Sequence, residues 1–171
     1  ARNVIIILGD IATCDLPKVD HIVHCAGETS LTASAARYWD ANVSTTIRLA
    51  KFAKEISSRM HYISSLSVAQ SRSDIAPMTE RDEPCPRTTQ SGYALSKSVG
   101  ELVVSAIMRD EGRIYRIGDV LPDLSQLVQD WRRDHWLAVA LRFGAKELFP
   151  DDYSVYVANG SYIGNTVVFA I

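Results

Sequence analysis

The chain has 171 residues, close to half of them hydrophobic, with a formal net charge of −2 and three cysteines. That length fits one domain, and so apolar a composition excludes a disordered chain. The near-neutral charge leaves no basic footprint for nucleic acid, and Cys14, Cys25 and Cys85 have neither disulfide nor zinc spacing.

In chain order, Val4-Ile-Ile-Ile-Leu8 is a β-branched run that predicts a strand, ending at Gly9-Asp10. A second strand is predicted within residues 19–27, closing on the small-residue turn Cys25-Ala26-Gly27. Over residues 34–57 the apolar positions Val43, Ile47, Leu49, Ala50 and Ala53 predict a helix with one buried face. His61-Tyr-Ile-Ser-Ser-Leu-Ser-Val68 opens as a strand and closes as a run of hydroxyls. A polar loop, 71–92, leads into a helix from Tyr93 to about Arg109. Gly112 breaks that helix, and Arg113-Ile-Tyr-Arg-Ile117 predicts another strand. Residues 124–148 read as mainly helical, and 153–157 and 165–171 as short strands. Strands alternating with helices imply an α/β fold, a parallel sheet covered on both faces.

The chemistry concentrates in Ser91-Gly-Tyr-Ala-Leu-Ser-Lys-Ser-Val-Gly-Glu101. Tyr93 and Lys97 are four residues apart, so they share one face of a helix. An ammonium beside a phenol favours the phenolate, which suits the pair to passing a proton to or from a carbonyl oxygen. An exposed contact at the same spacing is the plain structural alternative. Upstream, Ser64, Ser65 and Ser67 sit at the end of a predicted strand, and ligands in open α/β sheets bind outside those carboxyl ends. Serines that cap the following turn are the alternative there. His21, His24, His61 and His135 form no ligand cluster, so no metal is expected, and no apolar run is long enough to span a membrane. No signal peptide precedes the first strand, and with cysteines read as free thiols this points to a cytoplasmic protein.

These segments resemble the short-chain dehydrogenase/reductase superfamily in its extended branch, from residue 3 to about 122. Ser65, Tyr93 and Lys97 fall where that family keeps its catalytic Ser, Tyr and Lys. Gly9-Asp10-Ile11 resembles the end of its third strand, beside the adenine, and Cys25-Ala26-Gly27 the turn after its fourth. Asn42-Val43 matches the start of its Asn-Val-x-Gly-Thr helix, with Thr45 in place of the glycine. Arg116-Ile117-Gly118 is similar to its Arg-Pro-Gly, with Ile117 in place of proline. Tyr-Ile-Ser-Ser-Leu-Ser-Val, with no Tyr-Gly after it, is most like the thioester reductase domains of nonribosomal peptide and polyketide synthases and of carboxylic acid and aminoadipate reductases.

The resemblance implies a Rossmann-like doubly wound sheet over residues 1–122 and part of a substrate-binding subdomain over 123–171. It implies NADPH or NADH bound by Asp10, Ile11, Cys25, Ala26, Gly27, Asn42, Tyr93, Lys97, Ile117 and Gly118. Tyr93 would supply a proton to the carbonyl oxygen, Ser65 would be a second donor, and Lys97 would lower the Tyr93 pKa from its usual ~10. The substrate would be an acyl or peptidyl thioester on the phosphopantetheine arm of a carrier domain, released as an aldehyde or alcohol. Two other readings stay open: an extended reductase or epimerase acting on a nucleotide sugar or small ketone, and a Rossmann-like module without chemistry.

One departure is large. No Gly-x-x-Gly-x-x-Gly precedes residue 4, although that loop would cradle the cofactor pyrophosphate. In the strand order 3-2-1-4-5-6 the third and fourth strands do not touch. The sheet is therefore expected to lack its first two strands, with residues 4–8 and His21–His24 parallel but two strand positions apart. A short tail ending in an apolar run adds to the expectation of a piece of a longer protein.

Overall fold

The structure, a computed structural model, describes residues 4–30, 32–72, 78–121 and 157–159. They form two compact units, Ala1–Arg116 and Ile117–Ile171.

The first unit is built on a parallel sheet of β1 (His21–His24), β2 (Arg59–Ser65) and β3 (Gly112–Ile117), in that spatial order. β1 pairs with β2 in the register His21↔Arg59 to His24↔Tyr62. Between them runs a helical stretch: α1 (Ala35–Tyr38), a π-helical turn over Trp39–Ser44, and α2 (Thr45–Glu55). Ser34 caps its start by accepting from the Arg37 amide. After β2 a 3₁₀ turn and a polar loop lead to α3 (Gly92–Met108), capped by Ser91, whose Oγ accepts from the Ala94 amide at 3.2 Å. Arg109, at φ 50°, ends α3 in the left-handed region and turns the chain toward β3.

The core lies on one face of the sheet. Met60 and Tyr62 alternate inward from β2 onto Leu49, Ala50 and Ala53 of α2 and Val104 and Met108 of α3, all of them buried. Burial of side chains this large stabilises by roughly 1.5–3 kcal/mol each. Gly100 makes the helix–strand contact possible: a Cβ there would stand 2.3 Å from the Tyr62 hydroxyl. Both helices over four residues, α2 and α3, therefore pack on the same face among the described residues. The opposite face carries a polar row instead, one residue from each strand. His21 Nδ1 lies 3.1 Å from His61 Nε2, and His61 Nδ1 lies 2.9 Å from the Tyr115 hydroxyl.

Residues 4–8 correct one expectation. They form no strand, and Val4, Ile5, Ile6, Ile7 and Leu8 are 54–90% exposed. They make no ladder with β1, as the strand order requires, but neither do they find any other partner among the described residues. An extended run without a neighbour has nothing to bond its backbone to, whatever its β propensity. The predicted helix over 34–57 also differs in detail, since its middle is wound as a π turn.

In the second unit β4 (Asp119–Leu121) pairs in parallel with β5 (Val157–Asn159), in the register Asp119↔Val157 to Leu121↔Asn159. The helices expected over 124–148 and the strand over 165–171 lie outside the described residues, as does all but Val157 of the strand expected over 153–157.

Candidate active site

Three segments meet at the carboxyl end of the sheet: the turn after β1, the tip of β2 and the first two turns of α3. Lys97 is 5% exposed, and its Nζ donates to the Ile63 carbonyl oxygen at 2.8 Å. The same ammonium stands 4.9 Å from the centre of the Tyr62 ring. Burial pulls the Lys97 pKa down to about 8, against the opposing pull of Cys25 and Glu101. An ammonium has three protons to donate, and one of them is fixed by Ile63. Tyr93, half-buried, lies one helical turn earlier on α3. Ser65 is the last residue of β2, two past Ile63, and its Oγ accepts from the Ser67 amide at 3.1 Å.

The turn after β1 is held against this helix by Asn42. Asn42 Oδ1 accepts from the Glu28 amide at 2.6 Å, and its Nδ2 donates to the Glu28 carbonyl oxygen and to Ser96 Oγ at 2.8 Å. Ser96 in turn donates to the Tyr93 carbonyl oxygen at 2.8 Å. Asn42 is 2% exposed, so its amide is a brace between the turn and α3. Gly27 fits because it lacks a side chain: a Cβ would meet Asn42 Oδ1 at 2.8 Å and come within 3.9 Å of Lys97 Nζ.

Beside β1 an apolar groove of about 340 Å³ brings Ile11 together with Cys25 and Ala26, over Leu49 and Phe52. The adjoining turn is self-contained. Asp10 Oδ1 accepts from the Ala12 amide at 2.8 Å, and Arg48 of α2 donates to the carbonyl oxygens of Ile11 and Cys14. Eight of the ten residues expected to hold a cofactor thus belong to the first unit, from Asp10 to Lys97. Ile117 and Gly118 belong to the second.

Several residues that shape the site carried no signal of their own in the sequence. His24 is buried at the end of β1, and its Nε2 is 3.0 Å from Thr46 Oγ1. Thr46 gives its own proton to the Asn42 carbonyl oxygen, so His24 Nε2 carries the hydrogen, and its buried Nδ1 has no hydrogen-bond partner among the described residues. Burial, then the charge of Lys97, holds the His24 pKa down at about 4. Ser96 and Arg48 were equally silent, because each acts through a contact far away in the chain. No group of three or more His, Cys, Asp or Glu side chains is placed to hold a metal among the described residues.

Residues 9–148 match the NAD-binding family described as male sterility protein, the family of thioester reductase domains. The chain belongs to that family. It is thereby an extended short-chain dehydrogenase/reductase, and solved structures agree with that placement. The chain is 26% identical to a dTDP-glucose 4,6-dehydratase double mutant from Streptomyces venezuelae with NAD bound, over 80% of this chain and 44% of that one (TM-score 0.59). It is 28% identical to dTDP-4-dehydrorhamnose reductase from Yersinia enterocolitica, over 61% and 36% (TM-score 0.52). A short-chain dehydrogenase/reductase from Agrobacterium tumefaciens with bound NAD shares the fold at 19% identity, over 90% and 56% (TM-score 0.62). The chain thus spans little more than a third of the Yersinia enzyme and about half of the Agrobacterium one. No curated protein matches it. The groove runs the length of β1, and only its Cys25–Ala26 end reaches the sheet end where Lys97 stands; that end offers apolar surface and an ammonium to a nicotinamide dinucleotide.

Proposed function

We propose that this chain is part of an NAD(P)H-dependent reductase that releases a carrier-bound acyl or peptidyl thioester as an aldehyde or alcohol. The family match supports the reaction class. The observation that carries the mechanism is the buried Lys97, fixed to Ile63 at the tip of the strand that ends in Ser65, with Tyr93 one turn away.

When bound, the reduced nicotinamide supplies the hydride. Asp10, Ile11, Cys25, Ala26 and Gly27 would hold the adenine side of the dinucleotide, and Lys97 would bond a ribose. The Tyr93 hydroxyl gives its proton to the carbonyl oxygen as negative charge develops there. Ser65 Oγ already accepts from the Ser67 amide, and its own proton serves as a second donor to that oxygen. Lys97, dry and pinned, stabilises the phenolate that Tyr93 leaves behind. The hemithioacetal then expels the carrier thiol. The carrier and its pantetheine arm are accordingly the partner, and a cytoplasmic setting belongs to the same reading.

A second reading has its own support. The solved structures at 26% and 28% identity are nucleotide-sugar enzymes. A single assay separates the two, following the loss of reduced nicotinamide absorbance in the full-length protein. An acyl-loaded carrier domain is expected to be reduced, and the same acyl group on a truncated thiol much more slowly, because binding energy from the remote arm helps hold the carbonyl in place. Turnover of dTDP- or UDP-sugars with none of any thioester would transfer the chain to the second reading.

A further inference from the structure

Two consecutive residues at the tip of β2 are tied to α3 by side chains one helical turn apart. Lys97 holds the Ile63 carbonyl oxygen, and Glu101 Oε1 accepts the Ser64 hydroxyl. The next residue is Ser65. Glu101 is fully buried and is gripped by Arg116 of β3: Nε reaches both carboxylate oxygens, at 3.1 and 3.0 Å, and Nη2 reaches Oε2 at 2.7 Å. Arg116 also donates to the carbonyl oxygens of Thr79, at 2.9 Å, and Asp82, at 2.7 Å. One carboxylate therefore joins β2, α3, β3 and the 79–82 turn, on the wall of a cavity of about 450 Å³ that Leu66, Val68 and Met78 also line.

We propose that Glu101, clamped by Arg116, is a positioning residue of the reductase centre, setting Ser65 against Tyr93 and Lys97 and supplying the negative charge that Lys97 faces. It rests on the roles given above to Tyr93 and Lys97. Geometry and charge are separable parts of it. A buried carboxylate that receives a fork of guanidinium bonds and a hydroxyl has one orientation, so the strand tip it holds has one register. Glu101 is also four residues after Lys97 on α3, the spacing at which opposite charges attract. The charged and titratable groups facing Lys97 are His24 and Cys25 from the β1 side, Tyr62 from β2 and Glu101 from α3, with Tyr93 one helical turn before it. Arg116 stands behind Glu101 on β3.

The test uses the full-length protein and two readouts: kcat and KM for the thioester, and the titration of Lys97 followed by ¹³Cε NMR. In the unaltered protein the Lys97 midpoint is expected near 8. Glu101→Gln is expected to lower that midpoint by about half a unit or more and kcat by about tenfold or more, with KM for the cofactor within about threefold. Glu101→Asp keeps the charge but shortens the reach, so the midpoint should return toward 8 while kcat stays low. Arg116→Lys should likewise lower kcat with little movement of the midpoint, because the charge stays and the fork is lost. Should Glu101→Gln fail to fold, Ser64→Ala carries the geometric half, removing one hydroxyl and lowering kcat about threefold or more with the Lys97 midpoint unmoved. Folded Glu101 variants with unaltered kcat and midpoint would overturn the proposal, as would a loss of stability with kcat intact. Absence of thioester reduction in the unaltered protein would fault the proposed function alone, since the Lys97 titration needs no substrate.

Discussion

The seam between β2 and α3 and the run of residues 4–8 are equally rich in apolar side chains, yet they end in opposite states. In the seam Met60, Tyr62, Val104 and Met108 are almost wholly removed from water, and Lys97 and Glu101 stitch the two elements together. Residues 4–8 present five aliphatic side chains to solvent and pair with nothing described. The contrast teaches that composition decides what can be buried, while the presence of a packing partner decides what is. The candidate site sits where the partners are local or near: Tyr93 and Lys97 share one helix, and Lys97 is bonded to the strand that precedes it.

The largest expected effect breaks the chemical side of the seam. Tyr93→Phe should lower turnover on the true substrate by roughly 10²–10⁴-fold, with reduced-cofactor binding and the melting profile little changed, because only a proton donor is lost. Turnover within a few-fold of the unaltered enzyme would remove Tyr93 as the acid. Next comes the packing of the seam. Met60→Ala should destabilise the fold by about 2–5 kcal/mol in urea unfolding, since it leaves a cavity among groups that cannot collapse into it.

A third effect of similar size follows from His24. Its pKa in the folded chain is about 4 against 6.5 when exposed, so between those values the unfolded chain takes up a proton that the folded one refuses. The stability from His24 is complete above pH 6.5 and is lost as pH falls toward 4, by about 3 kcal/mol in total. His61 is depressed in the same direction, chiefly by burial, and adds to the slope. His24→Gln should flatten the acid limb of a stability–pH curve, and an unchanged slope would show that His24 does not set it. The smallest effect belongs to the other region. Ile6→Ala should change unfolding free energy by less than about 0.5 kcal/mol, because a side chain 79% exposed has little burial to lose. A loss as large as that of Met60→Ala would mean that residues 4–8 are packed after all.

The elements that carry the candidate residues were legible because their signals are short. The helix that holds Tyr93 and Lys97 and the strand that closes on hydroxyls at Ser65 both stand where single runs of sequence predict them. The same holds for β1 and β3, whose β-branched and aromatic residues lie within single runs. What was not legible depends on partners distant in the chain. Residues 4–8 have the composition of a strand, but a strand is a relation between two segments. The bracing role of Asn42 is one example: its amide joins Glu28 to Ser96, which lies 54 positions further on. The π turn over Trp39–Ser44 leaves no mark on apolar periodicity that would separate it from ordinary helix. Glu101 and Arg116 stand on different elements, and nothing in the spacing of 15 between them announces a pair.

The row of His21, His61 and Tyr115 across the sheet has a directional consequence. A neutral His61 carries a single ring proton. If that proton is on Nδ1, His61 gives it to Tyr115 and must receive one from His21; if it is on Nε2, both gifts reverse. The three strands therefore share one polarity, running from β1 to β3 or from β3 to β1, and no member can turn over alone. A tautomer change at the half-buried His21 of β1 is in this way a signal that arrives, as a rotated hydroxyl, two strands away.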